Sequence, residues 1–321
     1  MTGIVTIFRK EMEDHFSSTR FLLISAVIVM VGVIIASMVG MGIQEETKGM
    51  AKPSLVFLLL FTSTGKLFSF AQFIGFFGPL IGIILGFDAI NRERVSRTLS
   101  KLVSQPIYRD SIINAKFMTG VATIAIVQVS IVLIISGLGI RLVGVVPGVE
   151  EISRLVIYLI ISILYISFWL GISILFSVIF RSTATSALAS LALWIFFSFF
   201  LSLGADFLAN AIAPVSQTAA DATMAIRNYK VQRVISHFSP MTLYSQATLT
   251  ILDPTRNTTS PLALALMGPF ERLSLARFSG PLPLLQSLFI VAPYMVSIVA
   301  ITLLCFGICY AVFMRQEIRA V

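Results

Sequence analysis

Long runs of apolar residues alternate with short polar segments along the whole chain of 321 residues. Six of these runs are long enough to cross the hydrocarbon core of a bilayer as helices, which takes about 20 residues each. They predict transmembrane helices over residues 21–39, 67–87, 113–140, 155–180, 187–208 and 285–313. The pattern therefore predicts an all-α integral membrane protein whose residues 1–321 form a single transmembrane domain.

The composition agrees with a membrane protein and argues against a nucleic-acid partner. Hydrophobic residues make up 57% of the chain and charged residues only 12%, whereas soluble domains carry about 25% charged residues. The net charge is +8, but the basic residues are not gathered on the face of a soluble fold. They favour contact with anionic membrane lipids instead.

The first 19 residues predict an amphipathic interfacial helix, called the elbow helix. Ile4, Phe8, Met12 and Phe16 follow one another at i, i+4 spacing and form one apolar face. A helix of this kind lies in the interface between water and lipid. Amphipathicity does not identify what the apolar face contacts, so an ordinary juxtamembrane helix without a partner remains an alternative.

The distribution of Lys and Arg predicts the orientation. Basic residues near the ends of short loops accumulate on one side, which is normally the cytoplasmic side. Both termini and the loop over residues 88–112 are therefore expected in the cytoplasm of a multi-pass protein of the cell membrane. The segment over residues 209–284 is expected outside, where binding of an extracytoplasmic protein and capping of a dimer are both open.

Small residues recur at helical spacing in the first two predicted spans. Gly78, Gly82 and Gly86 form GxxxGxxxG in the second span, and Gly32, Ala36 and Gly40 follow the same spacing in the first. Such stripes let two helix backbones approach closely. Packing within the chain is the expected use of both.

The sequence carries no recognisable catalytic motif. It lacks HExxH and the phosphate-binding GxxxxGK[ST] motif, so we expect no enzymatic activity and no bound cofactor in this chain. Cys305 and Cys309 share one helix face and could hold Cu(I). Two small buried hydrophobic residues are the favoured interpretation, and no metal site is predicted.

The loop over residues 88–112 is unusually rich in charge for so apolar a chain. Ser96 is a candidate N-cap, and Pro106 ends the helix that would follow. The apolar face of this short helix would consist of Thr98, Leu99, Leu102 and Val103. It would pack either on lipid headgroups or on another cytoplasmic protein.

The stretch GFDAINRERVSRTLSKLVSQPIYRDSIINAKFMTG resembles the loop between the second and third spans of ABC-2 type permeases, the membrane subunits of ATP-binding cassette exporters. The branch associated with multi-copper enzyme maturation, which includes the permease of nitrous-oxide reductase assembly, is the most similar. FRKEMEDHFSSTRF and SPMTLYSQAT also resemble that branch. One position departs, because glycine usually precedes the Thr-Leu pair and Arg97 stands here.

The resemblance implies that the elbow helix, through Phe8 and Met12, and a coupling helix in the loop contact a separate ATPase subunit. The implied loop contacts are Arg92, Glu93, Arg94, Thr98, Leu99, Leu102 and Val103. Six spans make half of a transporter of this kind, so a homodimer with two ATPase subunits is expected. Two functions follow: export of a substrate, or transmission of the ATPase motion to an extracytoplasmic partner with little or no transport.

Overall fold

The computed structural model describes residues 2–46, 55–62, 69–96, 108–213, 222–254 and 282–316, and every regular element in these ranges is helical. Two short elements of other helical type are a 3₁₀ turn over Val56–Leu60 and a π-helical turn over Phe196–Phe200. The α-helices are α1 Thr2–Ser17, α2 Thr19–Glu46, α3 Phe70–Gly86, α4 Asn91–Val95, α5 Arg109–Val143, α6 Val149–Ile179, α7 Thr183–Ile195, α8 Leu201–Ile212, α9 Ala222–Ser236, α10 Pro240–Leu252 and α11 Leu284–Arg315.

Six helical segments of the described residues are long and apolar enough to cross a membrane. They fall on the six predicted spans, so the prediction of an all-α membrane protein is confirmed. The helices extend beyond the predicted bounds at several ends. For example, α5 begins at Arg109 instead of residue 113, inside the predicted loop, and ends where Gly144 adopts a left-handed φ of 66°. Hydropathy marks only the part of a helix inside the membrane, and polar turns extend it.

Helices α3 and α6 pack with their backbones in close approach at the glycine stripe. A Cβ atom added to Gly82 would lie 2.6 Å from the carbonyl oxygen of Ile166 and 2.9 Å from the amide nitrogen of Leu170. Gly78 faces the Ile166 side chain, and Gly86 lies against the backbone of α6 near Leu170. The stripe thus serves packing within the chain, as a side chain at Gly82 would push the two helices apart.

The second small-residue stripe brings α2 against its neighbours. A Cβ atom on Gly32 would lie 3.0 Å from the ring of Phe70 in α3, and one on Gly40 would lie 3.0 Å from Leu142 in α5. Ala36 between them is completely buried. The opposite side of α2 is exposed and apolar, as expected of a helix at the lipid-facing edge of a bundle.

Helix α10 is part of the bundle, although it belongs to the segment predicted to lie outside. It begins with Ser239 as N-cap, whose side chain accepts a hydrogen bond from the Thr242 amide. Its Tyr244 stacks on Tyr165 of α6 with ring centroids 4.5 Å apart. The Tyr244 hydroxyl lies 3.2 Å from the Ser162 hydroxyl. Helix α10 thus packs against α3, α6 and α11, and the predicted location of the 209–284 segment outside the membrane stays a prediction.

The fifth predicted span is a helix interrupted by the π-helical turn that joins α7 to α8. Helix α9 then packs on α8, where the Asn228 side chain donates hydrogen bonds to Asn210 (2.9 Å) and to the Ala213 carbonyl (2.8 Å). The Asp206 carboxylate is exposed and accepts a hydrogen bond from Gln232. It behaves as a surface carboxylate of the α8–α9 pair.

Candidate functional site

Lys116 joins three helices at the end of the bundle that also holds α1, α4 and Gln316, here called the terminal end. Its ammonium lies 2.8 Å from Glu11 Oε1 of α1 and 3.0 Å from Glu93 Oε1 of α4, while Lys116 itself belongs to α5. The side chains of Lys116, Glu11 and Glu93 are only 3%, 9% and 7% exposed. A buried ammonium is stable only when it is paired, so these contacts fix α1 and α4 to α5.

A second lysine completes this group, which we call the Lys116 cluster (Lys10, Glu11, Glu93 and Lys116). Lys10 Nζ lies 3.6 Å from Glu11 Oε1 and 3.8 Å from Glu93 Oε1, and its side chain is 57% exposed. It also pairs at 3.8 Å with Asp14 one turn further along α1. Two lysines thus neutralise the two buried carboxylates: Lys116 approaches them from inside the bundle, and Lys10 approaches them from the surface.

The surroundings of α1 shift the pKa values of two of its side chains. Burial alone would raise the pKa of Glu11, but the Lys116 ammonium, through its charge and its hydrogen bond, and the charge of Lys10 hold that pKa below its usual value. The pKa of His15 is lowered, first because burial disfavours the charged ring and also because Lys116 is near. The surroundings therefore favour the charged form of the Glu11 carboxylate and the neutral form of the His15 ring.

Arg94 anchors the end of α4 to two other helices. Its guanidinium donates to the carbonyl oxygens of Val178 (3.1 Å) and Phe180 (3.5 Å) at the end of α6, and to the side-chain oxygen of Gln316. Gln316 in turn donates to the Val178 carbonyl at 2.8 Å, and its own carbonyl accepts from Arg109 at 3.3 Å. The start and the end of the 88–112 loop are thus tied to the same residue beyond α11.

The backbone at the start of α4 is held by a serine of α6. The Ser177 hydroxyl accepts hydrogen bonds from the amides of Ile90 (3.0 Å) and Asn91 (3.2 Å). These two amides would otherwise lack partners at a helix N-terminus. Together with Arg94 and Glu93, this contact leaves α4 little freedom to move relative to α5 and α6.

The predicted ATPase contacts are placed in different environments. Glu93 and Arg94 are engaged inside the chain, whereas Arg92 is exposed. Thr98, Leu99, Leu102 and Val103 lie outside the described residues. Their proposed contacts with an ATPase stay a prediction.

Two exposed apolar side chains flank the part of the loop that lies outside the described residues. Val95 is 72% exposed and Tyr108 is 82% exposed. One stands at the end of α4 and the other immediately before α5. They were not singled out in the sequence because neither belongs to the apolar face predicted for the short helix of the loop.

The buried side of the elbow helix borders the predicted apolar stripe, whose Ile4 is half-buried against the core. Ile7 and Glu11 are its buried residues, whereas Phe8 and Met12 are half-buried. The sulfur of Met12 accepts a hydrogen bond from the Thr123 hydroxyl of α5 at 3.5 Å. The ion pair of Glu11 with Lys116 holds this side of α1 against α5. Contact of Phe8 and Met12 with an ATPase subunit stays a prediction.

The opposite end of the bundle, which holds the start of α6 and the end of α10, contains a second buried ionic centre. The Arg154 guanidinium is fully buried and pairs with Glu150 at 2.8 Å. It also donates to the carbonyl oxygens of Ile251 (3.0 Å) and Leu282 (2.6 Å). Arg154 therefore connects α6 to the end of α10 and to the segment that leads into α11.

The glycines and cysteines complete the predicted sites. Gly78, Gly82 and Gly86 face α6, Cys309 is buried in the core, and Cys305 is half-buried. The described residues contain no group of three or more His, Cys, Asp or Glu side chains arranged to hold a metal ion.

A family model described as ABC-2 family transporter protein matches residues 5–318, which is nearly the whole chain. No curated protein sequence matches the chain. The matched region includes all six helical segments that can span a membrane, the Lys116 cluster and the Arg154 centre.

Proposed function

Because the chain belongs to the ABC-2 family of transporter proteins, it is a membrane permease subunit of an ABC transporter, and we propose that it couples ATP hydrolysis by separate ATPase subunits to export of a substrate. The observation that carries this proposal is the Lys116 cluster. It fixes the elbow helix and the start of the loop to α5 at the terminal end. A force applied to α4 would move α5 and α6 with it, because α4 is held to both helices.

Coupling of this kind needs a rigid connection between the ATPase and the spans. ATPase closure is a rigid-body motion, and it is passed on only through elements that are held at both ends. Helix α4 is held by Lys116 through Glu93 and by Ser177 through its backbone, while Arg109 holds the start of α5. The ATPase subunit would act on the loop between these two anchored ends.

We expect the exposed Val95 and Tyr108 to be buried by the ATPase subunit, because they stand at the two ends of the loop that the resemblance to ABC-2 permeases assigns to the ATPase contact. Arg92, exposed beside them, would lie at the rim. ATP and magnesium would be bound by the ATPase subunit. Two copies of this chain with two ATPase subunits remain the simplest assembly.

A comparison of two ends of the bundle tests this function. Val95→Asp and Tyr108→Asp should each prevent the ATPase subunit from co-purifying, because each places a carboxylate in an apolar contact. Val146→Asp is the matched control, since Val146 is 76% exposed in the loop between α5 and α6 at the opposite end. Retention of the ATPase by both terminal-end variants, with loss in Val146→Asp, would refute the proposed docking end.

The proposed orientation places the terminal end in the cytoplasm and the 209–284 segment outside. It rests on the Lys/Arg bias of the short loops. A cysteine at Thr258 should react with an impermeant reagent in intact cells, and a cysteine at Ser104 should react only after lysis. The reverse labelling would invert the topology.

Transmission to an extracytoplasmic partner is the second candidate function. Helices α3 and α6 run from the loop anchors to α10, where Tyr244 and Arg154 connect them to the residues that follow. Motion entering at α4 would therefore reach α10. A metalloenzyme maturation factor is the expected partner type, from the likeness to the multi-copper branch.

Labelling of a cysteine placed at the exposed Val234 of α9 tests this function in a complex reconstituted with its ATPase. A change in labelling that depends on ATP, without movement of any substrate, would favour transmission over export.

A further inference from the structure

Gln316, the residue that follows α11, contacts three other elements of the terminal end. Its side-chain oxygen accepts a hydrogen bond from Arg94 at the end of α4, and its side-chain amide donates to the Val178 carbonyl near the end of α6 at 2.8 Å. Its backbone carbonyl accepts from Arg109 at the start of α5 at 3.3 Å. Gln316 thus joins α11 to both ends of the 88–112 loop and to the end of α6.

The backbone leaves the helix at Gln316, which makes these contacts possible. Helix α11 ends at Arg315, and Gln316 is extended, with φ −71° and ψ 128°. The Val178 carbonyl belongs to the last turn of α6, where carbonyl groups lack a partner within the helix. Arg94 donates to the same carbonyl at 3.1 Å. Both polar groups of the half-buried Gln316 amide are therefore used at the point where α4 meets the end of α6.

Within the part of the chain that the structure describes, α11 has side-chain hydrogen bonds to other helices only near its two ends. At the end opposite Gln316, the Ser287 hydroxyl accepts a hydrogen bond from Arg154 at 3.3 Å. Between the ends, the hydroxyls of Ser297 and Thr302 donate to carbonyl oxygens of α11 itself. The middle of α11 packs on α6 and α10 mainly through apolar side chains. Because such contacts are not directional, the two ends fix the position of the helix.

Pro293 gives α11 a point at which it can bend between these ends. A proline inside a helix lacks the amide hydrogen, so one backbone hydrogen bond of the helix is missing there. The segment from Pro293 to Gln316 is about 35 Å long at 1.5 Å per residue. One side of it is exposed at Leu303, Leu304 and Ile308. Displacement of this segment would therefore disturb the core less than displacement of the largely buried α6.

We propose that Gln316 is a positioning residue for coupling: it holds α11 to both ends of the 88–112 loop, so that motion of the loop swings α11 about Pro293. This inference rests on the proposed function, because it names the span that the loop moves. Helix α11 also packs on α6, and that packing alone would carry α11 along if Gln316 only capped the end of α6. The two cases differ in whether the movement of α11 depends on the Gln316 side chain.

Spin labels test the contact first in the full-length chain without an ATPase subunit, in lipid nanodiscs and with alanine at Cys305 and Cys309. Labels on cysteines at Met118 of α5 and Ile308 of α11, which are 56% and 52% exposed, report the distance between the two helices near the terminal end. We expect a narrow distance distribution for the wild type. Gln316→Met keeps the length of the side chain but loses both amide hydrogen bonds, and it should broaden the distribution.

Three further variants separate the contact from a general effect of substitution. Gln316→Glu keeps an oxygen that accepts from Arg94 and adds a charge, so it should restore most of the narrow distribution. Arg109→Met removes the contact to the Gln316 backbone carbonyl and should broaden the distribution; it carries the test if Gln316→Met does not fold. Gln286→Met is the matched control, because Gln286 is exposed near the opposite end of α11, and it should change nothing. Equal distributions in the wild type, Gln316→Met and Arg109→Met would overturn the inference.

The complex with the ATPase subunit then tests whether α11 is moved through Gln316. Labels at Leu188 of α7 and Leu304 of α11, which are 68% and 65% exposed, should give a distance that differs between ADP and a non-hydrolysable ATP analogue. Gln316→Met should lose this difference in complexes that retain the ATPase subunit, and Gln316→Glu should recover it. No difference in the wild-type complex, or the same difference in Gln316→Met, would overturn the inference.

Failure of this inference can be distinguished from failure of the proposed function. If no ATPase subunit associates with the wild-type chain, the proposed function fails, and the distances in the chain alone decide the role of Gln316. If the ATPase binds and α11 moves equally in the wild type and in Gln316→Met, the proposed function stands. Packing on α6 then carries α11, and Gln316 is only a cap.

Discussion

Substitution of Lys116 by methionine should be the most damaging single change at the terminal end. Methionine has a similar length and is apolar, so the packing volume is largely kept while the charge is lost. The carboxylates of Glu11 and Glu93, whose side chains are 9% and 7% exposed, then keep only Lys10 at 3.6 Å and 3.8 Å. Removing one partner of a buried ion pair costs about 3–5 kcal/mol, because the remaining charge stays buried.

Two companion variants separate the loss of charge pairing from the loss of packing. Lys10→Met removes a mostly exposed lysine from the same carboxylates and should cost only about 0–1 kcal/mol. The triple variant with Lys116→Met, Glu11→Gln and Glu93→Gln removes the charges together, and it should recover most of the loss. Recovery is the result that distinguishes stranded carboxylates from a general defect in α5.

Unfolding of the chain in mixed micelles with increasing sodium dodecyl sulfate measures these free energies. Trp169 and Trp194 are both buried, and their fluorescence reports the loss of packing. The wild type and the three variants would be compared at pH 7.5. A cost below about 1 kcal/mol for Lys116→Met, or an equal cost for Lys10→Met, would refute the role given to the Lys116 cluster.

Three further changes have defined outcomes. Gly82→Ala should destabilise the bundle by about 1–3 kcal/mol in the same assay, because its Cβ would lie 2.6 Å from a carbonyl oxygen of α6; Gly204→Ala, with nothing within 4 Å, should be neutral or stabilising. Arg154→Met should cost about 3 kcal/mol and increase proteolysis near α10 by stranding two carbonyl groups, whereas Arg141→Met, at an exposed position, should change little. Stability should fall as the pH drops below about 6.5, because the lowered pKa of His15 means that the unfolded chain takes up the proton first. The Glu11 carboxylate adds a further loss below about 4.5. His15→Gln should reduce the first slope, and an unchanged pH profile would exclude His15 as its cause.

The six spans could be predicted because a bilayer imposes length and apolarity on each helix separately. The glycine stripe of α3 was equally readable, since a backbone approach as close as that of Gly82 to Ile166 requires a missing side chain. Both features are local in sequence. Neither depends on knowing which distant residue is the neighbour.

The ionic contacts could not be predicted in the same way. Lys116 meets Glu11 and Glu93 from 105 and 23 positions away, and hydropathy gives no sign of which charges will be buried together. Lys116 lies inside the predicted span over residues 113–140, and as a lysine near the end of that span it counted toward the cytoplasmic side. The one sequence signal for a buried ion pair was Glu11 next to the apolar Met12, because a carboxylate on the buried side of a helix needs a cation.

The burial of α10 was missed for a related reason. PMTLYSQATLTIL contains 13 residues, too few to cross a membrane, so hydropathy does not single it out as a span. In the structure it is stabilised by Tyr244 against Tyr165 and Gly75, and by the contact of Arg154 with the Ile251 carbonyl. Short apolar helices inside a bundle become visible only when their neighbours are known.

Photo-cross-linking from two positions tests most directly the claim that an ATPase subunit acts on the terminal end. A photoreactive amino acid would replace Val95 or, as the matched position at the opposite end, Val146; the two side chains are 72% and 76% exposed. The account predicts that the probe at position 95 cross-links to the ATPase subunit, with a yield that changes between ATP and ADP, and that the probe at position 146 does not. Cross-linking from position 146 with none from position 95 would contradict it.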